Sequence, residues 1–119
     1  MKRDMELVRR ILLEVEARPE FPGGRLRLDG YDGKVISNHV ELLYEKGYID
    51  AHKTNDEDGW AWMPKRLKWE GHDLLDAFRD ESIWKKTKQS LLAVGGAATI
   101  EITKAIAVRW AKEKLGLPD

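Results

Sequence analysis

Lys34-Val35-Ile36-Ser37-Asn38-His39-Val40-Glu41-Leu42-Leu43-Tyr44-Glu45-Lys46-Gly47-Tyr48-Ile49 reads as a helix, a stop and the start of a strand without a gap between them. Val35, Ile36, Val40 and Leu43 recur on one stripe at the 3.6-residue period. Ser37, Asn38, Glu41 and Glu45 fall on the opposite face, which predicts an amphipathic helix with those four side chains in solvent. Gly47 supplies the left-handed backbone that ends it, and Tyr48 and Ile49 open a strand.

On the N-terminal side, a first helix is expected from Asp4 to about Ala17, capped by Asp4, with Val8, Ile11, Leu12 and Val15 as its core stripe. Pro19 disfavours helix at Arg18. Phe21-Pro22-Gly23-Gly24 reads as a turn, and Arg25-Leu26-Arg27-Leu28 alternates as a short half-buried strand would, ended by Asp29-Gly30. On the C-terminal side, Tyr48 to Lys53 reads as a strand, Asn55 to Gly59 as its loop and Trp60 to Trp69 as the return strand. Pro64 lacks a ladder donor, so it belongs at an edge, a bulge or a strand's beginning. A helix follows from about Glu70 to Arg79, with Gly71, Leu74, Leu75 and Phe78 inward. Ile83, Trp84, Thr87 and Leu91 predict another after the Asp80 to Ser82 junction. Gly95 and Gly96 break the chain before a last helix with Thr99, Ile102, Thr103, Ile106, Ala107 and Trp110 on one face, ended by Gly116 and Pro118.

The chain has 119 residues, enough for one hydrophobic core and too few for two. It has no cysteine, which excludes disulfides and thiolate metal sites and suits a reducing compartment. The charged start Met1-Lys2-Arg3-Asp4-Met5-Glu6 is unlike a signal peptide. The longest weakly apolar run, Leu91 to Ile100, is broken by glycines and well short of the roughly 20 residues that span a bilayer. A soluble cytoplasmic protein is therefore expected. Lysine plus arginine number 21 and aspartate plus glutamate 21, a net charge of zero. A DNA-binding domain usually carries a basic footprint, so any such footprint here must come from local asymmetry. Zero net charge also lowers self-repulsion between copies.

The order Ser37 to Ile49 resembles the recognition helix and following strand of winged-helix repressors, including arsenic-type and multiple-drug-resistance regulators. That resemblance implies a mainly α fold with a small β-wing. Residues 1–80 would form a winged-helix-like core and 81–119 a C-terminal helical extension, within a single domain spanning 1–119. The connection before the recognition helix is short, so the usual supporting helix must be shortened or missing. Over its whole length the chain resembles the domain of unknown function 2513 family, on three blocks of residues. These are Met1 to Met5 with Leu7; His39, Leu42, Leu43, Gly47 and Ile49; and Arg66, Leu67, Trp69, Glu70, Gly71, His72, Leu75, Asp76, Arg79, Asp80, Ile83 and Trp84. The third block is the most specific. The resemblance implies an architecture and a phage or prophage setting in a bacterial cytoplasm rather than a reaction.

If the helix and wing engage double-stranded DNA, the residues to do it are Lys34, Ser37 and Asn38 at the helix start, with Lys53, Lys65, Arg66 and Lys68 near the wing. Asparagine reads adenine and lysine holds phosphate. Glu41 and Glu45 on the same face, and Asp56-Glu57-Asp58 at the wing tip, would repel phosphate. The alternative is a module that binds a host or phage protein, with a counter-defence role. Trp60 and Trp62 alternate along a strand and so share a side, where they form an exposed anchor or cap the core beneath the wing. Trp69 is expected to pack the wing base against the following helix. A homodimer through Ile102, Ile106 and Trp110, beside Ile100, Ala107 and Ala111, is a further expectation.

A non-enzymatic protein is expected, with an enzyme as the third reading. His39, His52 and His72 lack the spacing of a zinc site, and no serine or cysteine nucleophile motif accompanies them. His39 reads as a packing or capping residue, and His72, beside Asp73 and near Asp76, as a structural pair. Glu70, Asp73, Asp76, Asp80 and Glu81 form an acidic ridge that would bind magnesium or a basic partner. The plainer reading is a solvated face neutralised by Lys68 and Arg79. The glycines match neither a phosphate loop nor a dinucleotide fingerprint, so no metal and no cofactor is expected.

Overall fold

The computed structural model describes residues 2–18, 26–54, 61–93, 95 and 99–118. Within them the chain is mainly helical with one two-stranded sheet.

Helix α1 spans Met5–Ala17, and the Leu7 N–H donates to Asp4 Oδ1 at its start (3.2 Å). Val8, Ile11, Leu12 and Val15 are buried as the periodicity requires. Residues 26–28 do not form the expected strand, although Leu26 is buried. Alternation sends one side chain inward, but a strand also needs a neighbouring edge to bond, and this sheet contains only the two wing strands. No helix lies among the described residues between α1 and α2, which spans Gly33–Glu45, so the supporting helix of a winged-helix domain is not seen there.

The end of α2 is a Schellman motif. Gly47 has φ +79°, its N–H donates to Tyr44 O (3.0 Å), and the Tyr48 N–H donates to Leu43 O (3.0 Å). The chain leaves this stop directly into β1 (Ile49–Lys53), which pairs antiparallel with β2 (Trp62–Leu67). Asp50 pairs with Arg66 and Ala51 with Pro64, so Lys65 is the extra residue of a bulge and the proline sits beside it. The bulge relieves the ladder of the hydrogen bond that proline lacks.

Helix α3 (Trp69–Phe78) buries Gly71, Leu74, Leu75 and Phe78, and α4 (Glu81–Ala93) buries Ile83, Trp84, Thr87 and Leu91, both as expected. Trp69 contradicts its expected role. It opens α3 rather than ending β2 and is 79% exposed, because the α3 stripe beginning at Gly71 leaves position 69 on the outer side. Helix α5 (Ile100–Leu115) is capped by Thr99, packs against α3 and α4, and ends at left-handed Gly116. One hydrophobic cluster runs from Met5 in α1 to Ala107 in α5. Among the described residues no helix is long and apolar enough to cross a membrane.

Candidate functional site

Two side chains of α2 point inward and fix how the helix is held. His39 is 1% exposed; its Nε2 accepts the Asp4 N–H (3.0 Å), and its Nδ1 lies 2.8 Å from Val35 O, which places the ring proton on Nδ1. His39 thereby satisfies a backbone donor at the start of α1 and ties the two helices together. Ser37 is 4% exposed, and its Oγ accepts the Trp62 N–H (3.0 Å) from the first residue of β2. This corrects the expectation that Ser37 lies on the solvent face and contacts bases. It sits on the flank of the apolar stripe that meets the hairpin, and its hydroxyl is consumed there. Tyr44, two turns further along, packs its ring 5.1 Å from that of Trp62. Trp62 is therefore half-buried as part of the joint between helix and hairpin. Trp60 and the acidic run 56–58 lie outside the described residues.

With Ser37 and His39 turned inward, Lys34 and Asn38 lie exposed on the outer face of α2, with Glu45 further along and Glu41 half-buried. Lys34 belongs to the first turn, where its N–H donates to the Asp32 carboxylate that caps the helix (2.8 Å). Lys53 is exposed and pairs across the ladder with Trp62, the residue bonded to Ser37. Lys53 therefore stands on the strand next to the residue that Ser37 holds. The structure places Arg66 four residues further along β2, roughly 13 Å away, exposed and opposite Asp50. Lys65 is half-buried at the bulge. The expected DNA-contact set therefore divides into Lys34 and Asn38 on α2, Lys53 at the end of β1 and a pair, Lys65 and Arg66, at the wing root.

Most of the acidic ridge is engaged. Asp76 bonds Arg79 (3.0 Å), Glu81 reaches Arg9 (3.3 Å), and Asp80 takes Lys114 (2.8 Å). The Ser82 and Ile83 N–H groups also donate to Asp80 Oδ1 at the start of α4. The Lys114 ammonium, the Ser82 hydroxyl and the Ile83 N–H hold the Asp80 carboxyl well below the usual carboxylate range. Arg79 also grips Glu16 of α1 through two bonds of 2.7 Å, which lowers the Glu16 pKa. His72 lies 3.9 Å from Glu16 of α1. Among the described residues no group of three His, Asp or Glu is arranged to hold a metal.

Arg9 escaped the sequence reading. It is buried on α1 and donates to the carbonyls of Phe78 and Arg79 (both 2.8 Å), closing the end of α3. Its partners lie some seventy positions away, and no local pattern signals such a pairing. The dimerisation stripe is likewise altered. Trp110 donates from Nε1 to Ser90 Oγ (3.1 Å), the Lys86 ammonium stands over its ring, and Ile106 is half-buried against the core. Only Ile102, 41% exposed, keeps a substantial free surface.

The family described as "Hypothetical protein (DUF2513)" matches residues 2–97, which takes in α1 to α4 and stops short of α5. An uncharacterised protein of Haemophilus influenzae is 30% identical over 109 residues, covering 90% of this chain and 92% of that protein. No solved structure matches the chain.

Proposed function

The chain belongs to the DUF2513 family, and from that starting point we propose that it is a small non-enzymatic DNA-binding regulator of phage or prophage origin that engages duplex DNA with α2 and the β1–β2 hairpin. The observation that carries this is the way α2 is held. Ser37 and His39 lock it from within, against the hairpin and against α1, leaving Lys34 and Asn38 outward in its first two turns, with Lys53 exposed on the hairpin opposite the Trp62 that Ser37 holds. A rigidly mounted helix with a short polar reading edge suits insertion in a major groove, and a lysine on either side suits the flanking phosphates. Glu45, exposed at the far end of the same face, restricts the contact to the first two turns of α2.

The test is fluorescence anisotropy with a pool of random duplexes across salt concentrations. Binding should weaken steeply with salt, and replacing Lys34 and Lys53 by alanine should lower the slope of log affinity against log salt by about 1 per lost phosphate contact. Asn38→Ala should relax sequence preference in a selection from the pool while leaving that slope unchanged. Absence of duplex binding at low salt refutes the proposal. The reading then left is a module that binds a host or phage protein. Trp69, rather than the half-buried Trp62, would be its anchor, because a tryptophan so exposed at a helix start costs no packing to present.

A further inference from the structure

We propose that the groove between the start of α1, the first half of α2 and the second half of α4 binds a small amphipathic anion, with an apolar body and one acidic head. The groove has a volume of about 540 Å³, within the roughly 300–1,000 Å³ typical of small-molecule sites. Its apolar surface comes from Val35 of α2 and from Trp84, Leu91 and Leu92 of α4. Leu92 is 79% exposed although it adjoins the buried Leu91, so the groove carries apolar surface that nothing in the described fold covers.

The charge of the occupant follows from which rim groups are already engaged. The groove is bordered by Asp4, Glu6, Lys2, Arg3 and Lys88. Asp4 caps α1, its Oδ1 accepting the Leu7 N–H (3.2 Å). Glu6 is held at one oxygen by Trp84 Nε1 (2.8 Å) and at the other by Lys88 Nζ (3.2 Å). Both carboxylates thus have internal partners. Lys2 and Arg3 are exposed and form no ion pair with a described residue. Arg3 also borders a smaller depression with Glu45 and Glu101 on its lining. An anionic head is complementary to the Lys2 and Arg3 side chains, whereas a cationic head would have to displace Lys88 from Glu6. The polar rim selects the sign of the charge, and the apolar lining selects a body of aromatic or medium-chain aliphatic character.

The proposal stands whether or not α2 reads DNA, and its test uses neither DNA nor a cellular ligand. The full-length chain is titrated with 8-anilinonaphthalene-1-sulfonate, an aromatic sulfonate whose fluorescence reports apolar burial. Decanoate and decylammonium are then used as competitors. Saturable binding at one site per folded chain is expected, displaced by decanoate and not by decylammonium. Leu92→Glu, at an exposed position that leaves the melting temperature unchanged, should weaken the probe by at least about tenfold, through lost apolar contact and like-charge repulsion. Reversing Lys2 and Arg3 together to glutamate should weaken it by about three- to tenfold. Non-saturable binding, equal competition by the two amphiphiles, or variants that bind as the original chain does would each overturn the assignment.

Discussion

Gly71 has no room for a side chain. Helix α3 crosses the backbone of Tyr48 so closely that a Cβ at position 71 would run into the Tyr48 carbonyl oxygen. That oxygen is already engaged, since the Lys68 N–H donates to it (2.9 Å), so it has no room to retreat. Two effects of opposite sign compete in Gly71→Ala. Helix propensity favours alanine by about 1 kcal/mol in an open helix, while an overpacked contact costs about 1–3 kcal/mol, occasionally more. The obstacle is backbone rather than a movable side chain, so the clash wins. A net loss of stability is expected, read as a melting temperature several degrees lower, and an unchanged or higher value would show that α3 shifts freely. The apolar stripe identified position 71 as inward, but nothing local indicated that only glycine fits. Ser37 carries the same lesson for polar residues. Helical periodicity placed Ser37 on the outer side of its helix, and a partner on β2 claimed it.

At the scale of elements, helix ends decide more than helix middles. Asp80 accepts the Ser82 and Ile83 N–H groups that open α4, and its other oxygen takes Lys114 from the last turn of α5. One carboxylate thereby sets where α4 begins and fastens α5 to it. Because these donors hold the folded-state pKa below the unfolded value of 3.8, the stabilisation is fully present above that pH and is lost as pH falls through the acid range. Acid unfolding should show this directly. In Asp80→Asn the carboxylate is gone, so stability at pH 7 should be lower than in the original chain, and the gap should narrow as the pH is taken below about 4. Glu16 is shifted in the same sense by Arg79 and remains in both proteins, so the difference between the two curves isolates Asp80. A gap constant from pH 7 to pH 3 would mean that the Lys114 and cap contacts do not persist in solution.

For the whole molecule, the question is what covers α5. Its inward positions Thr103 and Ala107 are fully buried, and Ile106 and Trp110 are packed against the body of the same chain. The surface that would have served a second copy is therefore largely occupied by α4. What is left, chiefly Ile102 and the terminal Leu115, lies on separate sides of the helix and forms no continuous seam. Sedimentation equilibrium at high micromolar concentration should find a monomer, despite a net charge of zero that offers little electrostatic resistance to pairing. A dimer would require a different face, and a two-fold operator model would then have to be rebuilt around it.

The positions of the five helices among the described residues, the stop at Gly47, the hairpin and the irregular place of Pro64, at an edge, a bulge or a strand's beginning, were legible in the chain. Each rests on interactions within a few residues: apolar periodicity, capping oxygens, a left-handed glycine, a missing donor. The tertiary structure alone decided that Ser37 faces inward, that His39 takes its partner from the start of α1, that residues 26–28 find no strand partner, and that Arg9 closes α3 from α1. These outcomes depend on contacts between residues 25 to 70 positions apart, as in the Trp62 to Ser37 and Arg9 to Arg79 bonds. A polar side chain on the flank of an amphipathic helix suits water and a buried partner equally well until a second element arrives, and which element arrives is a property of the packing rather than of the local sequence.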